Sequence, residues 1–192
     1  MAKVVTESIG EFYHHYPRVP AIVTARSGNK SNAMAVAWHS PISFKPPLYG
    51  VSISPKRFTY QLIMESKEFG INFVPFEMAE LVAAVGGSKG AEINKFKKFA
   101  IAKGKPSRTH VPILKDAYAA YECKLVGRRT YGDHVWFVGE ILAVHFAEEV
   151  FTSKQVIDLN RVRPLIYLGA DFYTTADKSN IRLLEREVYG KR

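Results

Sequence analysis

The sequence predicts a mainly β fold, an antiparallel, Greek-key-like barrel with short helices inserted. Three observations carry this. Apolar, β-branched runs recur along the 192 residues, separated by turn residues, and most are placed to pair as hairpins. Twelve Phe and ten Tyr are generous for the length and suit many strands. A glycine-rich strand-to-helix turn and a P-loop are both missing from the sequence, which disfavours a doubly wound sheet.

Taken in order, Phe12-Tyr13-His14-His15-Tyr16-Pro17 reads as an aromatic tie-down that ends a short lead-in. Val19 to Ala25 is extended, Ser27-Gly28-Asn29-Lys30 is a turn, and Asn32 to Trp38 is the second arm of a first hairpin. Pro41 and Pro46-Pro47 predict an irregular or edge segment over 39–47, before a strand from Leu48 to Ile53. Ser54 before Pro55 reads as a helix N-cap with proline at the first helical position, and Phe58, Leu62 and Ile63 continue at helical spacing. Phe69 to Val74 is a strand, and Glu77 to Val85 is a helix stopped by Gly86-Gly87. Residues 88–109 read as a long basic loop with one helical piece, Glu92 to Phe99. Ala117 to Val126 and Val135 to Phe146 form a long hairpin through Arg128–Asp133. A short helix is expected near Gln155 to Leu159, ahead of the apolar run Leu165 to Gly169. The whole reads as a single domain, 1–192, with six or seven strands and two or three helices.

The composition narrows the function. An apolar fraction of 47% and a charged fraction of 23% are those of a globular protein. No apolar run is long enough to span a bilayer, and the N-terminus lacks a signal core, so a cytoplasmic protein without a membrane partner is expected. A single cysteine, Cys123, excludes an internal disulfide and a cysteine-built zinc site. The net charge of +9 fits nucleic acid or small anions. Zinc-finger spacing and an RNP-type aromatic string are both missing, so nucleic acid is not the expected partner.

The chemistry-bearing residues are few. His14-His15 lacks an acidic neighbour at chelating spacing, so no metal site is expected. Cys123 stands mid-strand among apolar residues, where a thiol is inert. No Gly-x-Ser-x-Gly elbow or carboxylate pair supports hydrolysis. The clearest signal is an anion site: Arg57 and Thr59 fall at the predicted helix start after Ser54, where free N–H groups and the positive end of the dipole suit a phosphate. An ordinary capped helix with an exposed arginine explains the same pattern. His134, after Gly132-Asp133 at a strand start, is placed to project into a pocket mouth or to bond locally within its turn, and His39 beside Ser40 is similar.

These pieces carry a resemblance. Asn32-x-Met34, Ser40-Pro41-x-Ser43-x-x-Pro46-Pro47, Ser54-x-x-Arg57-x-Thr59, Phe69 to Val74, Gly132-Asp133-His134 through Gly139-Glu140, and Pro164 to Gly169 follow one another as in the flavin reductase-like family. The match runs from about residue 15 to 175. The resemblance implies an FMN-binding split β-barrel, a homodimer with FMN near the subunit interface, and NAD(P)H as electron donor. It implies that Asn32, Ala33, Met34, Ala35, Val36, Ala37, Trp38, His39 and Ser40 lie along the isoalloxazine ring, largely through backbone groups. Ser54, Arg57 and Thr59 would hold the phosphate, and Ser52 and Tyr167 would also border the cofactor. Ser88, Lys89 and Lys95 match a string that shapes the site, although Lys89 stands where glycine is usual. His134 matches a histidine on the nicotinamide side of the flavin. Ala35 and Ala37 replace hydroxyl residues of many relatives.

Three readings follow. In the first, an FMN-dependent oxidoreductase takes a hydride from NAD(P)H at flavin N5 and passes electrons on, the hydride chemistry being the cofactor's. The second is an FMN-binding electron carrier without nicotinamide turnover. The third is a basic nucleic-acid-binding barrel.

Overall fold

Seven strands form one antiparallel sheet that coils on itself without closing. The structure, a computed structural model, describes residues 1–10 and 13–190. The strands are β1 (Ala21–Ser27), β2 (Lys30–Val36), β3 (His39–Phe44), β4 (Pro47–Ile53), β5 (Glu68–Phe73), β8 (Ala119–Tyr131) and β9 (His134–Phe146), in the order β2-β1-β5-β8-β9-β4-β3. Consecutive strands β2 and β3 are therefore the two edges. Only Ala37 and Trp38 join them, and Trp38 O accepts from Ser52 N at 2.9 Å. Short pairs β6 (Lys103–Gly104) with β7 (Ile113–Leu114), and β10 (Leu165–Gly169) with β11 (Phe172–Thr175), lie outside this sheet. Helices α1 (Phe58–Ser66), α2 (Ala79–Gly87), α3 (Lys95–Lys98) and α4 (Arg186–Tyr189) complete the order.

Alternation along β1 builds two cores from one strand, because successive side chains point to opposite faces. Ala21, Val23 and Ala25 join Tyr49, Val51, Ile71 and Phe137 inside the barrel, where α1 adds Leu62 and Ile63. Ile22 faces the other way and packs with Ala33, Val82, Val85, Phe96 and Leu165, a second core beneath α2, α3 and β10. Inside the barrel Gly139 accommodates its neighbours: a Cβ there would overlap the Phe69 ring and Cβ of Cys123.

The structure corrects several sequence expectations. For 39–47 the edge alternative holds over His39–Phe44, the edge strand β3 with a bulge between Pro41 and Ser43, and Lys45-Pro46 turn the chain into β4. Ser54 does not cap α1. Its carbonyl accepts from Arg57 N at 3.0 Å in a tight turn, Arg57 is the N-cap position without a side-chain bond, and the helix begins at Phe58. The second helix starts as a 3₁₀ turn, Phe76–Met78, and Gly86-Gly87 belong to its last turn. Glu92 to Phe99 shrinks to Lys95–Lys98, capped by the Asn94 side chain accepting from Lys97 N. Only Gly132-Asp133 links the long hairpin, with Gly132 at φ +57, as a two-residue turn with glycine first requires. No helix forms over 155–159; Phe151 instead bridges Ile157. Phe12 of the aromatic lead-in lies outside the described residues.

Candidate functional site

A groove runs along the open edge of β2. Among the described residues that strand pairs only with β1, which leaves its outward backbone groups for a ligand. Two adjoining cavities of about 190 and 470 Å³ share Ala35 and Gly86 and make this groove continuous. Small residues carve it: Ala35 and Ala37 on the sheet side, Ala83, Gly86 and Gly87 on α2.

The smaller cavity is cationic. Arg57 and Lys56 reach it from the turn before α1, Lys89 from the loop after α2, and Lys95 from α3. Lys95 is only 3% exposed, yet no carboxylate pairs with it among the described residues. Its Nζ donates to Val85 O at 2.7 Å, at the C-terminal end of α2, where the helix dipole favours a cation. An ammonium carries three donors, so two remain. Burial, and then the nearby Arg57 charge, pull its pKa down to about 8. A buried cation beside a second cation is costly unless an anion offsets both.

Thr59, fully buried on the first turn of α1, accepts from Asn32 Nδ2 at 2.8 Å. Its own hydroxyl proton is thereby left to donate. Asn32 Oδ1 is buried without a partner, and a Cβ on Gly90 would fall on the Asn32 amide. The end of the groove thus presents donors from Lys95, Arg57 and Thr59 around an uncompensated positive charge, the complement of a phosphate. The residues present fit the phosphate of a flavin nucleotide.

The larger cavity continues past Val36 and Ala37 to Tyr167, Asp171 and Tyr173. Tyr167 packs at a tilt against Tyr173 at 5.1 Å, and edge-on against Tyr16 at 5.4 Å. Tyr16 in turn accepts from Trp38 Nε1 at 3.2 Å. Beside this cluster, past Trp38, lies a third cavity of about 660 Å³, bordered by Arg18, Trp38, Ser52, Tyr131, His134 and Trp136.

The sequence-predicted residues thus divide. Asn32, Met34, Ala35, Arg57, Thr59, Ser88, Lys89 and Lys95 come together at the cationic end, and Val36, Ala37 and Tyr167 line the other half. Trp38, Ser52 and His134 meet in the third cavity, where His134 stands 5.1 Å from the Trp38 ring and its Nδ1 bonds Asp133 at 2.8 Å. Ala33 is spent on the second core. Ser40 donates to the carbonyl of Pro41 at the far edge, and Ser54 serves the turn with its carbonyl. His39 is turned inward. Its Nε2 faces Val19 O and its Nδ1 faces the Tyr49 hydroxyl, both at 2.8 Å, so neither nitrogen is free for a flavin. Burial lowers the His39 pKa, which makes the neutral ring the stable form, with Nε2–H donating and Nδ1 accepting. Sequence reasoning missed Lys56 and Tyr173; of these, the charge of Lys56 beside Arg57 was the readable signal.

Comparison with known proteins decides the family. The profile of the flavin reductase like domain matches residues 13–176. The chain belongs to this family. An uncharacterized protein of Pyrococcus abyssi is 38% identical over 164 residues, covering 85% of this chain and 93% of its own length. The NADH-dependent FMN reductase AsuE2 of Streptomyces nodosus subsp. asukaensis is 31% identical, covering 69% of this chain and 70% of its own. The crystal structure of an FMN-binding protein from Thermus thermophilus with bound 1-cyclohex-2-enone superposes with a TM-score of 0.84 at 34% identity, over 95% of this chain and 99% of that one. A putative flavin reductase with a split barrel domain from Shewanella frigidimarina superposes with a TM-score of 0.80 at 23% identity, over 88% of this chain and 86% of that one, which shows the same fold. The chain is a flavin reductase-like protein of that fold.

Arg57 offers a direct check on the cationic end. Arg57→Ala is expected to weaken FMN binding by ~1.5–3 kcal/mol, the span of one charge-assisted hydrogen bond. Isothermal titration reads this, and unchanged affinity would make Arg57 a surface residue.

Proposed function

We propose that this protein binds FMN along β2 and acts as an NAD(P)H-dependent flavin oxidoreductase. The observation that carries the reading is the buried, acid-free Lys95 beside Arg57 and Thr59, at the end of a groove bounded by an unpaired strand edge. Bound FMN would supply the redox chemistry, accepting a hydride from reduced nicotinamide and passing electrons to an acceptor. The chain's own work is then to hold and orient. Lys95, Arg57 and Thr59 fix the phosphate. The β2 backbone from Asn32 to Val36, with Ala37 just after it, offers donors and acceptors to the ring edge. Tyr167 and Tyr173 close the far end. No side chain of the groove is needed as acid or base; its walls carry two carboxylates, Glu92, paired with Lys89, and Asp171 at the far end.

His134, with Trp38 and Trp136 beside it, is the wall we assign to the nicotinamide or the electron acceptor. We further assign the exposed Ile42 and Phe44 of β3, and Val144 and Phe146 of β9, to contact with a second copy of the chain. Light scattering is expected to read a two-chain mass. We place the protein in the cytoplasm. Among the described residues no helix is long and apolar enough to cross a membrane.

The test is steady oxidation of NADH or NADPH by the FMN-loaded protein under anaerobic conditions with excess free flavin. Turnover above the rate of FMN alone is expected. Tight FMN binding with no turnover would leave an electron carrier instead.

A further inference from the structure

The third cavity, of about 660 Å³, falls within the ~300–1,000 Å³ span of small-molecule sites. The chain has two tryptophans, Trp38 and Trp136, and both border it. Strand alternation explains the second. Val135 and Phe137 of β9 turn into the barrel, so Trp136 between them faces outward, opposite Ser52 of β4. Its indole lies against Gly50, where a Cβ would fall on the ring. Trp38 is held from two sides: its carbonyl accepts from Ser52 N at 2.9 Å, and its Nε1 donates to the Tyr16 hydroxyl at 3.2 Å. Two flat apolar walls are thus fixed in advance. A guanidinium stands beside them. Both backbone groups of Arg18 pair with Tyr167, at 3.0 and 2.8 Å, and its half-buried side chain borders the cavity. Among the described residues the cavity wall carries one carboxylate, Asp133, which accepts from His134 Nδ1 at 2.8 Å. Among the same residues no ion pair or side-chain hydrogen bond engages the Arg18 guanidinium.

We propose that this cavity takes a planar aromatic carboxylate, its ring on the indoles of Trp38 and Trp136 and its carboxylate on Arg18. The inference deepens the assignment of this wall made above by naming a ligand class, and rests on that reading for the ligand's role alone. An aromatic ring gains from offset or edge-on contact with an indole beyond the area it buries. A guanidinium presents paired N–H groups at the spacing of the two carboxylate oxygens, a match that a neutral amide makes only in part. The half-buried charge of Arg18, with no acid beside it, selects the sign of the ligand. An oxidised nicotinamide ring is itself cationic, so the same guanidinium opposes it and favours an anionic acceptor. Saturated acids of equal charge lack the flat face, and neutral aromatics lack the anion. Gly50 sets the room available, because a side chain there would lift the Trp136 indole into the cavity.

The test is the tryptophan fluorescence of the full chain, titrated with benzoate, benzamide and cyclohexanecarboxylate, the last read by competition with benzoate. With both tryptophans on this cavity, the signal arises there. Benzoate is expected to change the emission saturably and to bind ~10–100-fold tighter than benzamide, the span of one charge-assisted hydrogen bond converted to affinity. Its advantage over cyclohexanecarboxylate should be roughly 2–12-fold, the span of one aromatic pair. Arg18→Gln keeps both indoles and should bring benzoate down to the affinity of benzamide. Gly50→Ala displaces Trp136 and should weaken benzoate and benzamide alike. Benzamide binding as tightly as benzoate, or a benzoate affinity unmoved by Arg18→Gln, overturns the role of the guanidinium and the proposal with it. Cyclohexanecarboxylate binding as tightly as benzoate overturns the aromatic site. Flavin absorbance of parallel samples loaded with FMN checks the flavin reading separately. Benzoate bound by a chain that holds no FMN overturns that reading and supports the cavity as a site, whereas FMN held without discrimination among the three probes overturns this proposal alone.

Discussion

Lys95→Met is expected to raise the stability of the flavin-free protein while lowering its affinity for FMN. A lysine whose pKa falls from 10.5 to about 8 on folding binds fewer protons in the native state than in the unfolded chain between those values. Stability of the flavin-free wild type should therefore rise with pH across this window, and below about 8 the buried charge is carried at full cost. That cost is ~3 kcal/mol at most, so replacing the ammonium by an isosteric apolar chain should recover ~1–3 kcal/mol. A bound phosphate inverts the balance, because the two free N–H groups of Lys95 gain an anionic acceptor. The variant should lose ~1.5–3 kcal/mol of FMN binding. In the wild type FMN affinity should weaken as pH rises past about 8, where Lys95 loses its proton, while riboflavin affinity should not. Chemical denaturation of the flavin-free protein and calorimetric titration with FMN read the two halves separately. A variant that loses both stability and affinity would show Lys95 to be a structural cation only.

Glu122→Ala should be the most destabilising single change outside the hydrophobic core. Glu122 is fully buried in β8. Its carboxylate accepts from the backbone N–H groups of Ser107, Arg108 and Thr109, from the Thr109 hydroxyl, and from His145 Nε2, all at 2.6–2.9 Å. Burial alone would raise its pKa, but the hydrogen bonds from His145, Ser107, Thr109 and Arg108 outweigh it and hold the group at about 2. Removing the carboxylate leaves several buried donors unsatisfied, a loss of ~3–5 kcal/mol. The sign of the pH dependence follows from the lowered pKa. The stabilisation is complete above about 4.5 and is lost as pH falls from there toward about 2. Acid unfolding of the wild type should steepen in that range, and Glu122→Gln should flatten it. An acid transition unchanged in Glu122→Gln would remove this carboxylate as its source.

How much was legible depends on whether a residue's partners are local. Apolar runs bounded by turn residues located β1, β2, β4 and β5, and alternation located β9, all within a few residues, because these signals lie within the strand itself. The hairpin turn was legible but read too long, as Arg128–Asp133, because Arg128 to Tyr131 pair within the strand and only Gly132-Asp133 turn. Arg57 and Thr59 were found by helix-start logic even though Ser54 proved to belong to the turn before the helix. The anion site does not need that cap, because its donors are side chains. Lys95 joins it from 38 positions beyond Arg57, and local pattern carries no trace of that meeting. Only the family resemblance pointed to it. His39 was misplaced for the same reason, since its partners Val19 and Tyr49 come from other segments. Glu122 gave no signal at all. A single acid in an apolar strand looks exposed until the loop at 107–109 folds over it. Gln155 to Leu159 has helical composition but lacks a face to pack, and the chain turns there instead.

A flavin nucleotide bound along β2 should be directly measurable. The most direct measurement is the flavin content of the purified protein after incubation with FMN and removal of the free ligand. The structure predicts a yellow protein holding one FMN per chain, with the flavin displaced by inorganic phosphate at high concentration. A colourless protein that retains no flavin at any concentration tested would contradict it.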